Sequence, residues 1–243
     1  MAGGDLRQQI GEVLGRLAGT QLDPGERRSL LTRLATLLGA LGRAAGSQVA
    51  LGGQLLVDLV TDVGPHLPVR DLLTLREHHG GRSGEELAEA LVRHACRSTA
   101  AVGAAGGALS AVELVAPPLL LAAPVQLAAE TLAVIAVELK LVAELHVTFG
   151  RAPVGSHGQV ATAYLSAWTY ARGIDPGAAG PGLVSMLGSA ARQQLRSRVL
   201  RRCGRNLSTL MPFLAGAVAG AELNRRATGK LGAAITKDLR RAG

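Results

Sequence analysis

An all-α fold, a multi-helix bundle around a Gly/Ala-rich, proline-broken apolar hairpin, is what the sequence predicts. Three observations carry that expectation. Hydrophobic residues make up 48% of the 243 residues and charged residues only 18%, which supplies a core and argues against a disordered chain. Aromatics are only 2%, so the apolar mass is Ala, Leu and Val; strands lean on aromatic and β-branched residues, whereas Ala and Leu are strong helix formers. The 32 glycines oppose helix, since each costs about 1 kcal/mol against Ala in a helix interior. Glycine so frequent in helical stretches therefore predicts helices in close backbone contact.

The elements follow in order. Asp5, Arg7, Glu12 and Arg16 sit at helical spacing in the first segment, where no apolar leader is seen, so a cytoplasmic location is expected. Asp23-Pro24 reads as an N-cap followed by Pro at the first helical position, opening a helix with the stripe Leu30, Leu31, Leu34, Leu37, Leu38 and Leu41. Ser47 is expected to cap a second helix reaching Val60, ended by Gly64-Pro65 and Pro68. A short helix from Asp71 stops at Gly80-Gly81. Residues 1–80 thus read as an N-terminal helical subdomain and 81–243 as a second helical domain.

Ser83 and Glu86 form a capping box that opens a long helix. From Thr99 to Ala129 the only charge is Glu113, and Pro117, Pro118 and Pro124 break the stretch, because a proline inside a helix removes a hydrogen bond and clashes with the preceding turn. Residues 99–149 therefore read as an apolar hairpin whose second helix ends at Gly150. A helix carrying Tyr164, Trp168 and Tyr170 comes next, then a Gly/Pro loop at 173–182 and a basic helix at about 183–202. An apolar stretch at 207–223 and a basic tail helix close the chain.

Charge is uneven. From Met186 onward twelve Arg and Lys face only Glu222 and Asp238, a net +10, which leaves −2 for residues 1–185. Arg198, Arg201, Arg202 and Arg205 lie on one helical face, suited to acidic headgroups at about 1 kcal/mol per charge near a membrane surface. Nucleic acid is the disfavoured partner, because no aromatic residues interleave with these arginines and no helix-turn-helix or zinc pattern is present. Gly216 and Gly220 form a GxxxG pattern that permits backbone approach between helices, either in lipid or in an ordinary Gly/Ala bundle.

The hairpin is long enough to be weighed against the roughly 20 apolar residues of a membrane span. Glu113 or Glu130 falls inside most such windows, and a central acid costs about 3 kcal/mol on insertion. A buried hairpin in a soluble core and a re-entrant hairpin thus stand ahead of a constitutive span. Glu130, Glu138, Lys140 and Glu144 fall within an arc of about 160° on the second hairpin helix, and Lys140 and Glu144 can pair at i, i+4.

No catalytic constellation is legible. Glu113, Glu130, Glu138 and His146 are the acid/base candidates, but such chemistry needs convergent partners and a pocket. Adjacent His78 and His79 point about 100° apart on a helix and seldom share a metal. Thr228-Gly229-Lys230 lacks the flanking residues and the preceding strand of a phosphate loop, and Ser185 sits outside a nucleophile elbow. Cys96 and Cys203 cannot make a disulfide framework. Neither a cofactor nor a metal is implied.

The region from about 83 to 240 resembles the EcsC family of bacterial proteins. The resemblance is carried by the Gly/Ala helix Ala101–Ser110, the broken hairpin Ala116–Pro124, the helix ending Leu139–Gly150, and the closing segment Met211–Asn224 followed by Thr228-Gly229-Lys230. It implies a helical, membrane-associated accessory role without a known reaction. The expectation is a non-catalytic protein peripheral to the inner face of the plasma membrane, held there by the hairpin and the basic C-terminal region. Its partners would be anionic lipid, a membrane protein or a second copy. The alternative is a soluble helical protein that interacts or self-assembles through its Gly/Ala faces.

Overall fold

The structure, a computed structural model, describes residues 2–19, 22–44, 59–60, 62–113, 123–172 and 214–241. Among the described residues are seven α-helices and no strand: α1 (Ala2–Ala18), α2 (Pro24–Ala44), α3 (Leu72–His78), α4 (Gly84–Glu113), α5 (Ala123–Thr148), α6 (His157–Ala171) and α7 (Leu214–Arg241). A single 3-10 turn at Gly64–His66 precedes α3. The chain is an all-α helical bundle.

Helix starts follow the local chemistry of the sequence. The Asp23 carboxylate accepts hydrogen bonds from the Gly25 (2.7 Å) and Glu26 (2.9 Å) amides, with Pro24 as the first helical residue of α2. Asp71 caps α3 by accepting from the Thr74 amide at 2.9 Å and from its hydroxyl at 2.9 Å. Gly80 and Gly81 end that helix at φ of 67° and 77°, a left-handed backbone that glycine adopts without steric cost. At the start of α6, Gln159 Oε1 reaches back to accept from the Ser156 amide (2.9 Å) and hydroxyl (3.1 Å). Nothing in the sequence analysis singled out that pair.

Helix α5 is the axis of the bundle. It touches α1, α2, α3, α4, α6 and α7, and its residues from Ala136 to Leu145 are all buried. A helix with neighbours on every side must be apolar all round, which is how 123–148 reads apart from its few charges. Of the predicted hairpin, α5 is therefore packed inside the fold, and α4 lies against it and α7 with Thr99, Val102, Gly103 and Gly106 buried. Among the described residues no helix is long and apolar enough to cross a membrane.

One hydrophobic cluster joins Ile10, Leu14, Leu34 and Leu38 of the first two helices to Leu87, Leu132, Leu145 and Leu231 of the later ones. The N-terminal segment and the rest of the chain share that core through α5.

Glycines allow the tightest contacts. The closest helix pair is α4 against α7, and there a Cβ on Gly103 would lie 2.6 Å from the Gly220 carbonyl oxygen and 2.8 Å from Asn224 Nδ2. Side chains cannot be accommodated at that separation. On α4 one turn further, Gly106 lies directly beneath the Glu130 carboxylate of α5.

The close of the chain differs from the expectation. The described part of the apolar stretch, from Leu214, and the basic tail are one continuous helix, α7. No breaker lies between Leu223 and Ala227, and Glu222 binds both Arg225 (2.7 Å) and Arg226 (2.5 Å) across the expected boundary, the i+3 and i+4 pairing that supports a helix. The predicted helix at 47–60 is described only at its end, where Leu59 and Val60 are helical. The proline break at 117–118, the loop at 173–182 and the basic helix at 183–202 lie outside the described residues.

Replacing Gly103 with Leu should lower stability by about 1–3 kcal/mol through overpacking. By contrast Gly4→Ala, at an exposed helical site with nothing within 4 Å of an added Cβ, should raise it by about 0.5 kcal/mol. Thermal denaturation of the two variants beside the parent checks the contrast.

Candidate functional site

The charged residues of α5 have little water around them. Glu138 is 0% exposed, and Glu130, Lys140 and Glu144 are each 5% exposed or less. Glu138, and Lys140 with Glu144, form two polar centres on different sides of the axis.

The first centre is built on Glu138. Trp168 Nε1–H of α6 donates to its Oε2 at 2.9 Å, and the Thr228 hydroxyl of α7 donates to its Oε1 at 2.8 Å. The Arg172 guanidinium, one residue past the end of α6, forms an ion pair with Oε1 and stacks 5.9 Å from the centre of the Trp168 ring. Thr228 lies 3.0 Å, oxygen to oxygen, from the Thr99 hydroxyl of α4. Asn224 Nδ2 donates to the Thr99 carbonyl at 3.2 Å. One carboxylate thus ties α4, α5, α6 and α7 together.

The second centre lies nearer the C-terminal end of α5. Lys140 Nζ donates to Glu144 Oε1 at 2.6 Å, the pair expected from the sequence, and Arg70 Nη1 lies 3.8 Å from the same oxygen. His79, at the end of α3, and His94, on α4, lie within the field of these charges. Burial, with Lys140 and Arg97 adding repulsion, lowers the pKa of His94 to about 4. Burial also lowers the pKa of His79, against the attraction of Glu144. The Lys140 ammonium is lowered by burial and partly restored by Glu144.

The acid/base candidates do not converge. Glu130, Glu138 and His146 follow each other at intervals of eight residues on one helix, about 12 Å per interval. Glu130 lies against Gly106, and Glu138 is engaged in the first centre. His146 points Nδ1 at the Val142 carbonyl (2.7 Å) and packs its ring against Tyr164 with centroids 5.4 Å apart. Glu113 is the last residue of α4, and its side chain lies outside the described residues. A pocket of about 430 Å³ between the 3-10 turn, α5 and α6 is lined by apolar groups such as Leu67, Val69, Leu139 and Leu165 together with Tyr164, and by no carboxylate. Among the described residues no group of three His, Cys, Asp or Glu could hold a metal.

The predicted contact residues divide. Arg198, Arg201, Arg202 and Arg205 lie outside the described residues. Gly216 falls in the first turn of α7, and Gly220 faces Gly103 of α4 within the same chain. The outer face of α7 carries the described part of the basic excess expected for the C-terminal third: exposed Arg225, Arg226, Lys230, Lys237, Arg240 and Arg241, with Val218 and Leu223 exposed by 66% and 58%. Its acid Glu222 is held at a pKa of about 2 by hydrogen bonds from Arg225 and Arg226.

Sequence reasoning missed Trp168, Arg172, Thr99 and Thr228 as one centre. The available signal was indirect: an acid amid apolar neighbours must find donors, and Trp168 is the single indole of the chain. Thr228, considered above in a rejected phosphate loop and in the family resemblance, is fully buried. No protein-family model, curated protein or solved structure matches the chain.

Replacing Glu138 with Gln should destabilise the fold by about 3 kcal/mol, because it leaves the Arg172 charge buried without its counter-ion. For a chain of this length that is a drop of roughly 10 °C in the melting midpoint. Glu222→Gln, which removes only solvated pairs, should leave the midpoint unchanged. Calorimetry of both variants checks the pair.

Proposed function

We propose that the protein is a non-catalytic helical accessory protein that docks on the anionic cytoplasmic face of a membrane through its C-terminal region. The observation that carries this reading is the outer face of α7, where Val218 and Leu223 stand exposed beside six Arg and Lys residues. Apolar side chains near the start of a helix and a run of bases along it suit a helix lying at a headgroup boundary. Glu222 engages two arginines, Glu85 of α4 pairs with Arg240 at 3.0 Å, and Asp238 is the other acid of the helix, so the six bases still leave that face net positive. The basic segment at 192–205 adds to the same sign in sequence. The resemblance of residues 83–240 to the EcsC family points the same way.

Burial of α5 bears on how contact is made. Its apolar surface is spent on the core, and a run of exposed bases stands on α7, so the contact is assigned to α7 and the basic segment before it. The same burial favours a second reading, a soluble protein that uses the α7 face for a protein partner. Gly220 is already packed inside the chain, so that surface would be Val218, Leu223 and the bases rather than the glycines.

The variant Lys230→Gln, Lys237→Gln, Arg241→Gln should keep its fold, because exposed charges contribute little to stability. It should bind vesicles containing phosphatidylserine roughly 100-fold more weakly than the parent at low salt, and with a shallower salt dependence. Co-sedimentation with anionic and neutral vesicles measures this. A parent that ignores anionic vesicles, or a variant that binds as tightly as the parent, would sink the membrane reading in favour of the soluble one.

A further inference from the structure

The 3-10 turn at Gly64–His66 is gripped from two sides by glycine contacts. His66 lies in a seat on α1, where a Cβ on Gly11 would meet its ring and a Cβ on Gly15 would meet its carbonyl oxygen. Gly64 lies against α6, where an added Cβ would be 2.9 Å from the Cβ of Ala161. Contacts this close leave the turn no room to settle further onto either helix. It stands as a fixed wall of the pocket of about 430 Å³, which Leu139 and Ala143 of α5 and Tyr164 and Leu165 of α6 also line. A preformed space of that volume suits a small molecule. Val69 lines it and is 38% exposed, so it stands where the pocket meets solvent. Val154, beside the lining Gly155, is exposed as well.

The lining is selective in its chemistry. Its side chains are aliphatic except for Tyr164, and none carries a charge. Tyr164 is the one lining side chain with a polar atom, and among the described residues its hydroxyl has no hydrogen-bond partner. The ring is nevertheless held in place. His146, with Nδ1 donating to the Val142 carbonyl at 2.7 Å, packs edge-on against it with centroids 5.4 Å apart. Burial raises the pKa of Tyr164, which keeps the phenol protonated and a donor.

These features define what the space can take. Aliphatic walls favour an aliphatic chain, at roughly fourfold in affinity per CH₂ buried. One phenol satisfies one acceptor. A carboxylate placed there would keep its charge and most of its hydrogen-bonding capacity without partners in apolar surroundings, which is costly. The oxygen of an alcohol, a carbonyl or an ester carries no such charge.

We propose that this pocket is a binding site for a neutral aliphatic molecule with one oxygen acceptor, its chain against Leu139, Ala143 and Leu165 and its oxygen accepting from the Tyr164 hydroxyl. No residue of α7 lines the pocket, so the site stands apart from the membrane reading and is tested without vesicles.

Titration calorimetry of the full chain at pH 7 with octanol, and with octanoate of the same chain length, tests the site. Octanol should bind saturably below its solubility limit, and octanoate roughly tenfold more weakly or worse. Tyr164→Phe removes the donor and keeps the ring against His146, so it should weaken octanol by roughly three- to tenfold. Val160→Phe, at a partly exposed lining position of α6, fills the space and should abolish binding, with the circular dichroism of the parent retained. If that variant folds poorly, Tyr164→Phe decides alone, since it breaks no hydrogen bond among the described residues. Absence of saturable octanol binding would overturn the proposal. So would octanoate binding as tightly as octanol, or an octanol affinity unchanged in either folded variant.

Discussion

A carboxylate with no access to water must receive its hydrogen bonds from the protein, and the bundle is arranged around meeting that demand at Glu138. Removing an ionised group from water costs several kcal/mol, which neighbours must offset with well-placed donors. The three donors come from two places distant in sequence: Trp168 and Arg172 at the end of α6, and Thr228 in the middle of α7. Thr228 also meets Thr99 of α4. These contacts fix the rotation of each helix about its axis, which packing of Ala, Leu and Val alone leaves loosely specified. The charge thus contributes uniqueness to a core whose apolar surfaces are otherwise similar.

The second constraint is distance. The donors can reach Glu138 only if α4, α5 and α7 lie close together, and the glycines make that approach possible. Gly103 meets Gly220 backbone to backbone, one turn of helix from Thr99 and Asn224, which hydrogen bond across the same contact. Gly106 makes room for Glu130. The intrinsic helix cost of these glycines is thereby exchanged for interhelical contact, as the composition suggested. The candidate surface lies away from this centre. The outer face of α7 is turned away from the core, with Val218 and Leu223 exposed.

What could be read from the sequence is what depends on nearby residues. Asp23-Pro24, Asp71 and Gly80-Gly81 act through the adjoining backbone, and each marks the helix end it was expected to mark. Lys140 and Glu144 are one turn apart, so their pair was visible as spacing. The Glu138 centre was not visible, because its partners lie 30, 34 and 90 residues away and no period in the sequence connects them. Gly216 and Gly220 showed that one face of a helix can approach another closely, but the pattern is silent on its counterpart. That counterpart, for Gly220, is Gly103 in the same chain. The candidate surface was legible as charge, through the excess of Arg and Lys after Met186, and illegible as shape, because exposure of Val218 and Leu223 depends on which side of α7 packs against α4.

The central claim, that a buried Glu138 holds the helices in register, can be read at one atom. Trp168 is the only tryptophan, so its indole N–H gives a single assignable proton signal. Hydrogen exchange of that proton, followed by nuclear magnetic resonance in the parent and in Glu138→Gln, is the direct measurement. The account predicts that in the parent the indole exchanges only through global unfolding, with the same free energy as the slowest amides of α5. Substitution should shift the indole resonance and speed its exchange by roughly 100-fold, in step with a loss of about 3 kcal/mol. An indole that exchanges freely in the parent, or keeps its shift and protection in the variant, would contradict the account.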